Sequence, residues 1–294
     1  MPAHGRNHSS QVLTINNHCL LIDCGEGTQQ QISRFNVKHG KIEAVFISHL
    51  HGDHYLGLMG LISSMHIQGR TKALKVFAPR GLKEILMVQL KYSGTVLNFK
   101  LDLIELDSEI LQLVFQTKIF TVESFPLKHR IPCFGFLIRE KAKPVRINKK
   151  RLPADISIQN IAKLKKGLDV FDEDGKILYQ NEYYTLPPRK QRSYAYCSDT
   201  IYDEDLLNYI SEVDILYHES TFLEEREQSA KDTFHTTARQ AGLIARKAKV
   251  NKLIIGHFSA RYKEINTFRE EASLEFDQTV LAIEGKEYSI GESD

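Results

Sequence analysis

No stretch of this 294-residue chain approaches the roughly 18 consecutive apolar residues that cross a bilayer, so no membrane-spanning helix is expected. The first residues, "MPAHGRNHSSQVL", contain no apolar core and no small-residue cleavage signal, so no secretory leader is expected and the protein reads as soluble and cytoplasmic. Cysteine is scarce. Cys19, Cys24, Cys133 and Cys197 lie in strand-like segments without C-x-x-C spacing, which argues against a disulfide scaffold and for reduced, buried thiols. Internal repeats and low-complexity tracts are also lacking, which argues against a repeat architecture. Net charge is only +2, too small a total to indicate a partner.

What is present is an ordinary globular composition, 42% apolar and 26% charged, in a chain long enough to bury a substantial core. Strand-like runs stand at 11–15, 18–23, 42–48, 74–78, 111–123, 133–139, 193–198, 213–217 and 252–257. Helical periodicity appears at 56–68, 81–91, 203–210, 236–249 and 264–276, the first of these ending at Gly69. Several strands follow one another without helices between them. That mixture points to a layered α/β protein rather than a barrel of strict βα units.

The small total charge hides an uneven distribution. Residues 139–192 hold fourteen Lys or Arg against seven Asp or Glu, a net +7 that leaves −5 on the rest of the chain. "REKAKPVRINKKRLP" (139–153), "KLKK" (163–166) and "RKQR" (189–192) are the densest parts, and Pro144, Pro153, Pro187 and Pro188 punctuate them. The segment reads as an inserted basic arm within a globular body. On charge alone, a solvated loop explains it equally well.

The most concentrated chemistry lies in "SHLHGDHYLG" (48–57), where three histidines and an aspartate occupy residues 49–54. The preceding "KIEAVFI" is a buried strand by composition, and the following "LGLMGLISSMHIQG" is helical, so the cluster falls on a strand-to-helix loop at a sheet end. His49 and His51, two apart, point to one side of extended backbone. Gly52 would permit the bend that redirects Asp53 and His54. One nitrogen-rich and one mixed metal position follow, of a ligand chemistry that suits zinc and also accommodates manganese or iron. Two such positions need further ligands. His129, Asp199 and His257 each follow or lie in a strand-like stretch just before a polar turn, which puts them at sheet edges within reach of the first loop. His4, His8, His18, His39 and His66 lack that context and read as surface or packing residues.

The pattern H-x-H-x-D-H followed by isolated His, Asp and His resembles the metallo-β-lactamase fold. More narrowly, the chain resembles ribonuclease Z, the endonuclease family that matures transfer RNA 3′ ends. The matching stretches are "RNHSS" (6–10), "LLIDCGEGTQQQ" (20–31), "SHLHGDHYLGL" (48–58), "KHRIPCFGF" (128–136), "PPRKQRSYAYCSDT" (187–200), "HEST" (218–221), "FHTTARQAG" (234–242) and "HFSARY" (257–262). They run through nearly the whole chain in the family's order.

That resemblance implies a single α/β domain over 1–294, an αββα four-layer sandwich, with an inserted transfer-RNA-binding arm at 140–190. It implies two zinc ions per chain, one held by His49, His51 and His129, the other by Asp53, His54 and His257, with Asp199 between them. Two metals about 3.5–4 Å apart clamp both oxygens of an in-line phosphodiester displacement and make hydroxide available near pH 7. Asp53 would orient that hydroxide or take its proton. His235 would protonate the departing ribose 3′ oxygen, with Glu219 of "HEST" orienting it; the plainer alternatives are a cap or loop ion pair for Glu219 and an N-cap-region residue before the helix at 236–249 for His235, and His218 reads as packing or support. In the arm, Lys149, Lys150, Arg151, Lys163, Lys165 and Lys166 would contact RNA phosphates. The family's arm grips the transfer RNA elbow and, in a homodimer, serves the partner subunit's site.

Two features depart from the family pattern. The arm segment "ISIQNIAKLKKG" (156–167) lacks the Gly-Pro pair usual before its "LK-G" stretch. Only five residues precede "RNHSS", where the family carries a strand and a glycine turn, so one sheet is expected to lack its first strand. Two other functions compete with the endonuclease: a dizinc hydrolase of small esters or phosphodiesters, and a catalytically dead RNA-binding relative. The basic arm argues against the first, since a small substrate needs no 50-residue cationic insertion, and the complete ligand set argues against the second.

Overall fold

A computed structural model describes residues 3–106 and 110–291. Two sheets form its framework. The first has five strands in chain order, Gln11–Ile15, His18–Ile22, Ile42–Phe46, Leu74–Ala78 and Leu101–Glu105. Its first pair is antiparallel and the others are parallel. The second has seven, in the order Thr279–Leu281, Lys252–Gly256, Ile215–Glu219, Ser193–Cys197, Cys133–Glu140, Phe120–Leu127, Gln112–Gln116.

Side-chain alternation along the strands explains the layering. In the first sheet Leu21, Val45 and Val76 pack on helices Leu58–Ile67 and Leu82–Tyr92 through Leu61, Ile62, Met65 and Leu86. Their neighbours turn the other way: Phe46 stacks on Phe77 at 4.9 Å and meets Phe136 of the second sheet at 5.4 Å. In the second sheet Ala195, Cys197, Leu216, Leu253 and Ile255 pack on Ala241, Ile244 and Ala245 of helix Ala238–Lys247 and on Phe268 of helix Asn266–Ser273. Tyr196 and Tyr217 stack at 4.9 Å on the opposite face. Helix, sheet, sheet, helix is the four-layer α/β sandwich that the sequence motifs imply. All four cysteines are buried thiols, and none forms a disulfide.

Helix Leu58–Ile67 stops where expected. Gly69, at φ 77°, lets its amide reach His66 O at 3.0 Å while Arg70 N reaches Met65 O at 2.9 Å, a Schellman closure. Other boundaries differ from the sequence reading. The run 111–123 is two strands, because the Thr117 hydroxyl accepts the amides of Ile119 and Phe120 and makes a turn without glycine or proline. Residues 203–210 form a 3₁₀ turn, Glu204–Leu206, before the short helix Leu207–Ile210. The 213–217 strand lies two residues later, at Ile215–Glu219, which makes Glu219 a strand end.

The backbone contacts divide the chain into two compact units, the second consisting of Gln116–Thr121 with Arg139–Arg192. That second unit holds helix Ile158–Lys165, capped by Ser157 Oγ accepting from Asn160 N at 3.2 Å, and two small two-stranded ribbons. Lys149, Lys150, Arg151, Lys163, Lys165 and Lys166 are all exposed, the last three at the helix C-terminus, where cations suit the dipole. The Arg151 guanidinium lies 4.7 Å from the Tyr183 ring centroid.

The long segment of this unit is closed by a buried carboxylate. Glu140 accepts from Arg192 Nη2 at 2.6 Å, Arg192 N at 2.9 Å and Lys143 Nζ at 2.5 Å. Burial alone would raise its pKa, but Arg192 and Lys143 overcome that and hold it at about 2, below the usual 4.5. A depressed carboxylate contributes stability above pH 4.5 and loses it as pH falls toward 2. Glu140→Gln should therefore destabilise the protein by roughly 1.5–3 kcal/mol at pH 7, the value of hydrogen bonds to a charged group. Denaturant unfolding should show that gap closing between pH 4.5 and 2; a gap constant with pH would remove the ionised carboxylate from the clasp.

Candidate metal centre

Strands Ser193–Cys197, Ile215–Glu219 and Lys252–Gly256 are parallel, with Cys197 opposite His218 and Glu219 opposite Gly256. Their carboxyl ends therefore share one edge, and Asp199, Glu219 and His257 stand there. Open α/β sheets bind ligands at that end. His49 lies just beyond strand Ile42–Phe46 and His129 just beyond Phe120–Leu127. The first motif is not a plain loop. His51 precedes, in extended backbone, the one-turn helix Gly52–Tyr55, which carries Asp53 and His54. Gly52 does not adopt a left-handed φ, so the helical turn, rather than glycine's freedom, redirects those two side chains.

Among the described residues three groups have ligand atoms within 4.8 Å of one another: the first is His49, His51 and His129 with Asp199, the second is Asp53 and His54 with His257, and a third, Asp199 and His257 with His235, overlaps these two. In the first, His51 Nδ1 is 3.0 Å from His49 Nε2 and 3.2 Å from His129 Nε2. In the second, His257 Nε2 is 3.3 Å from His54 Nε2 and 3.4 Å from Asp53 Oδ2. Asp199 divides its oxygens between them. Its Oδ2 is 3.6 Å from His49 Nε2, while its Oδ1 is 3.5 Å from His54 Nε2 and 3.4 Å from His257 Nε2. His4, His8, His18, His39, His66 and His218 belong to none of these groups.

The donor set fits metal. Asp199 Oδ1 is buried yet accepts no hydrogen bond among the described residues. The ring nitrogens that face away from the centre are backed by oxygens: His49 Nδ1 by Ser48 Oγ at 3.0 Å, His54 Nδ1 by Asp23 Oδ2 at 2.7 Å, His129 Nδ1 by Phe234 O at 2.9 Å, and His257 Nδ1 by Thr221 Oγ1 at 2.9 Å. Such partners fix the tautomer that leaves the other nitrogen's lone pair for a cation. Burial, with the nearby His54, pushes His49 down to about 2, and burial lowers His51 and His129 as well, so all three stay neutral. Burial opposes charge on His257 too, but Asp199 and Asp53 carry it up to about 9. Asp53 and Asp199 are held below the usual carboxylate range by the surrounding imidazoles, against the effect of burial. Cations would displace the protons this cluster holds.

Beside the two groups, His235 Nδ1 donates to Glu219 Oε1 at 2.9 Å and stands 4.0 Å from Asp199 Oδ2. Glu219 is wholly buried and also accepts from Thr200 N, Thr236 N, Thr221 N and Thr221 Oγ1. Burial disfavours charge on His235, but Glu219 outweighs it and raises the pKa. Helix capping falls to Thr237, which forms a capping box with Gln240, and not to His235. His218, one residue before Glu219, bonds a backbone carbonyl and stands outside the cluster.

Comparison with known proteins follows the same line. The chain is 47% identical to ribonuclease Z of Cytophaga hutchinsonii, over 99% of this chain and 93% of that protein. The chain belongs to the ribonuclease Z family. Ribonuclease Z of Bacteroides fragilis is 42% identical over 94% of the chain and 91% of its own length. The crystal structure of the short form of human tRNase Z matches with a TM-score of 0.70 at 26% identity, covering 99% of this chain and 95% of that one. The family model for the anti-Pycsar protein Apyc1 matches residues 3–143.

What sequence reasoning missed is the support. Asp23, Ser48, Thr200 and Thr221 are common polar residues whose importance comes only from burial beside the cluster. Asp23 alone carries a local signal, because it ends a buried strand immediately before "CGEG".

Proposed function

We infer that this chain is a metal-dependent endoribonuclease that removes the 3′ trailer from transfer RNA precursors, leaving a 3′-hydroxyl on the transfer RNA and a 5′-phosphate on the trailer. The observation that carries this reading is the convergence of seven candidate ligands from strand ends of both sheets in a chain 47% identical to a ribonuclease Z along 99% of its length. His49, His51 and His129 would hold one zinc, Asp53, His54 and His257 the other, and Asp199 both; manganese or iron suits the same ligands. When bound, two such ions polarise the scissile phosphate and lower the pKa of water.

The remaining work falls to side chains. Asp53, 38% exposed, is the most accessible of these carboxylates and can accept a proton from the attacking water. His235, protonated through its pairing with Glu219, donates from Nε2 to the leaving ribose 3′ oxygen. Lys149, Lys150, Arg151, Lys163, Lys165 and Lys166 contact the RNA backbone, a shape-based and salt-sensitive grip. The protein acts in the cytoplasm as a homodimer in which each arm serves the partner subunit's site, and it needs no membrane; no helix among the described residues is long and apolar enough to cross one. The function is tested by incubating a precursor with the protein before and after chelation. One new cut, lost with chelator and restored by zinc, is expected; cleavage indifferent to chelator would refute it.

His235→Ala should retain metal and precursor binding but cleave about 10²–10⁴-fold more slowly, the usual effect of removing a general acid. An aryl phosphodiester, whose leaving group needs no proton, should recover most of that loss. Equal losses on both substrates would exclude His235 as the acid. Because Glu219 raises the His235 pKa, Glu219→Gln should move the alkaline limb of the rate profile to lower pH.

A further inference from the structure

The three ligands of the second metal position come from two distant parts of the chain, and one short segment reaches all three. Arg6 Nη2 donates to Ser259 O at 3.2 Å and Tyr262 O at 2.9 Å, in the loop that follows His257. Ser9 N donates to Asp53 O at 3.2 Å, and Ser9 O accepts from Gly25 N at 3.0 Å. The Ser9 hydroxyl donates to Tyr196 Oη at 2.9 Å; Tyr196 donates to Asp23 Oδ2 at 2.6 Å, and that oxygen receives His54 Nδ1 at 2.7 Å. The Arg6 bonds and the Ser9 backbone bond lead to the second position, whereas the Tyr196 branch ends on Asp23, which also accepts from Ser48 N and from Ser48 Oγ, the hydroxyl that backs His49 of the first position.

His257 explains why such a brace is needed. It holds φ at 62°, a left-handed conformation uncommon for a non-glycine residue. Its outer nitrogen is held by Thr221, but the chain after it runs into an irregular turn tied by Ser259 N to Thr221 O and by Tyr262 N to Ser259 O. Arg6 spans the two ends of that turn with one planar group. The approach near Ser9 is equally tight, since a Cβ on Gly25 would collide with Asp53 O and lie 2.5 Å from His8 Cβ.

We propose that residues 6–9, acting with Tyr196, form a brace that sets the geometry of the Asp53, His54 and His257 position, with Arg6, Ser9 and Tyr196 as positioning residues. The proposal rests on the two-metal reading above. Loss of one outer partner typically weakens metal affinity about 10–100-fold. The test is a zinc titration of the chelated full-length protein against a chromophoric competitor, which resolves both equivalents without recourse to activity.

Arg6→Ala should weaken one equivalent about 10–100-fold and leave the other within about threefold, while Arg6→Lys, which cannot span both carbonyls, should fall between. Tyr196→Phe keeps the ring that stacks on Tyr217 and removes only the hydroxyl; because Asp23 supports His54 directly and His49 through Ser48, it should weaken both equivalents without unfolding the protein. Unchanged affinities in Arg6→Ala and Tyr196→Phe, or equal weakening of both equivalents in Arg6→Ala, would overturn the brace while leaving the metal centre standing. A native protein that binds fewer than two zinc ions would overturn both.

Discussion

Asp199→Ala should empty both metal positions and abolish turnover, the largest effect expected of any single substitution in this chain. One buried carboxylate presents Oδ2 to the His49 group and Oδ1 to the His54–His257 pair, so its removal takes a ligand from each. It also leaves His54 and His257 facing one another at 3.3 Å without the charge that offsets them. Elemental analysis of the purified variant should find well under one metal per chain, with cleavage lost by more than about 10⁴-fold, beyond the loss of a general acid alone. Two metals per chain with normal turnover would remove Asp199 from any bridging role.

Replacing residues 140–190 by a short flexible linker should separate chemistry from recognition. None of the seven candidate ligands lies in that span, so hydrolysis of an aryl phosphodiester should continue near its original rate. The replacement removes twelve Lys or Arg and seven Asp or Glu, a net +5. Precursor cleavage should fall roughly 10²–10³-fold at limiting substrate, equivalent to losing two charge-assisted contacts of about 1.5–2 kcal/mol each. The residual affinity should depend less steeply on salt, because fewer phosphate contacts release fewer counterions. Normal rates on both substrates would make the segment a solvated loop, and joint failure would assign it to the fold.

The candidate ligands were legible because the chemistry is concentrated: no packing role calls for His, His, Asp and His within residues 49–54 at a strand end. His129, Asp199 and His257 were legible by context, each beyond an apolar strand. The supporting shell was not. Asp23, Ser48, Thr221, Ser9 and Tyr196 matter through contacts across as many as 187 residues of sequence, which no local pattern encodes. The same limit explains the missed elements. Helices Thr28–Arg34 and Glu227–Thr233 bury only one or two side chains each, so they show no apolar period. Strand Thr279–Leu281 is three residues long, too short for alternation to register. Strand Leu101–Glu105 is a half-buried edge whose neighbours blur its boundaries. Gly52 misled in the opposite sense, since a glycine in a dense motif suggests a bend where the chain in fact begins a helical turn.

The most direct measurement of the central claim is the chemistry of the two ends. A transfer RNA precursor with a defined 3′ trailer is incubated with the zinc-loaded protein, and both fragments are isolated and analysed by mass. Water attacking phosphorus with the ribose 3′ oxygen as leaving group predicts a mature-side fragment ending in a 3′-hydroxyl and a trailer beginning with a 5′-phosphate. A 5′-hydroxyl on the trailer would mean that the 5′ oxygen left in place of the ribose 3′ oxygen, and would contradict His235 as the acid for that oxygen; a 2′,3′-cyclic phosphate on the transfer RNA side would mean that the ribose 2′-hydroxyl attacked, and would also contradict the metal centre as the source of the attacking water.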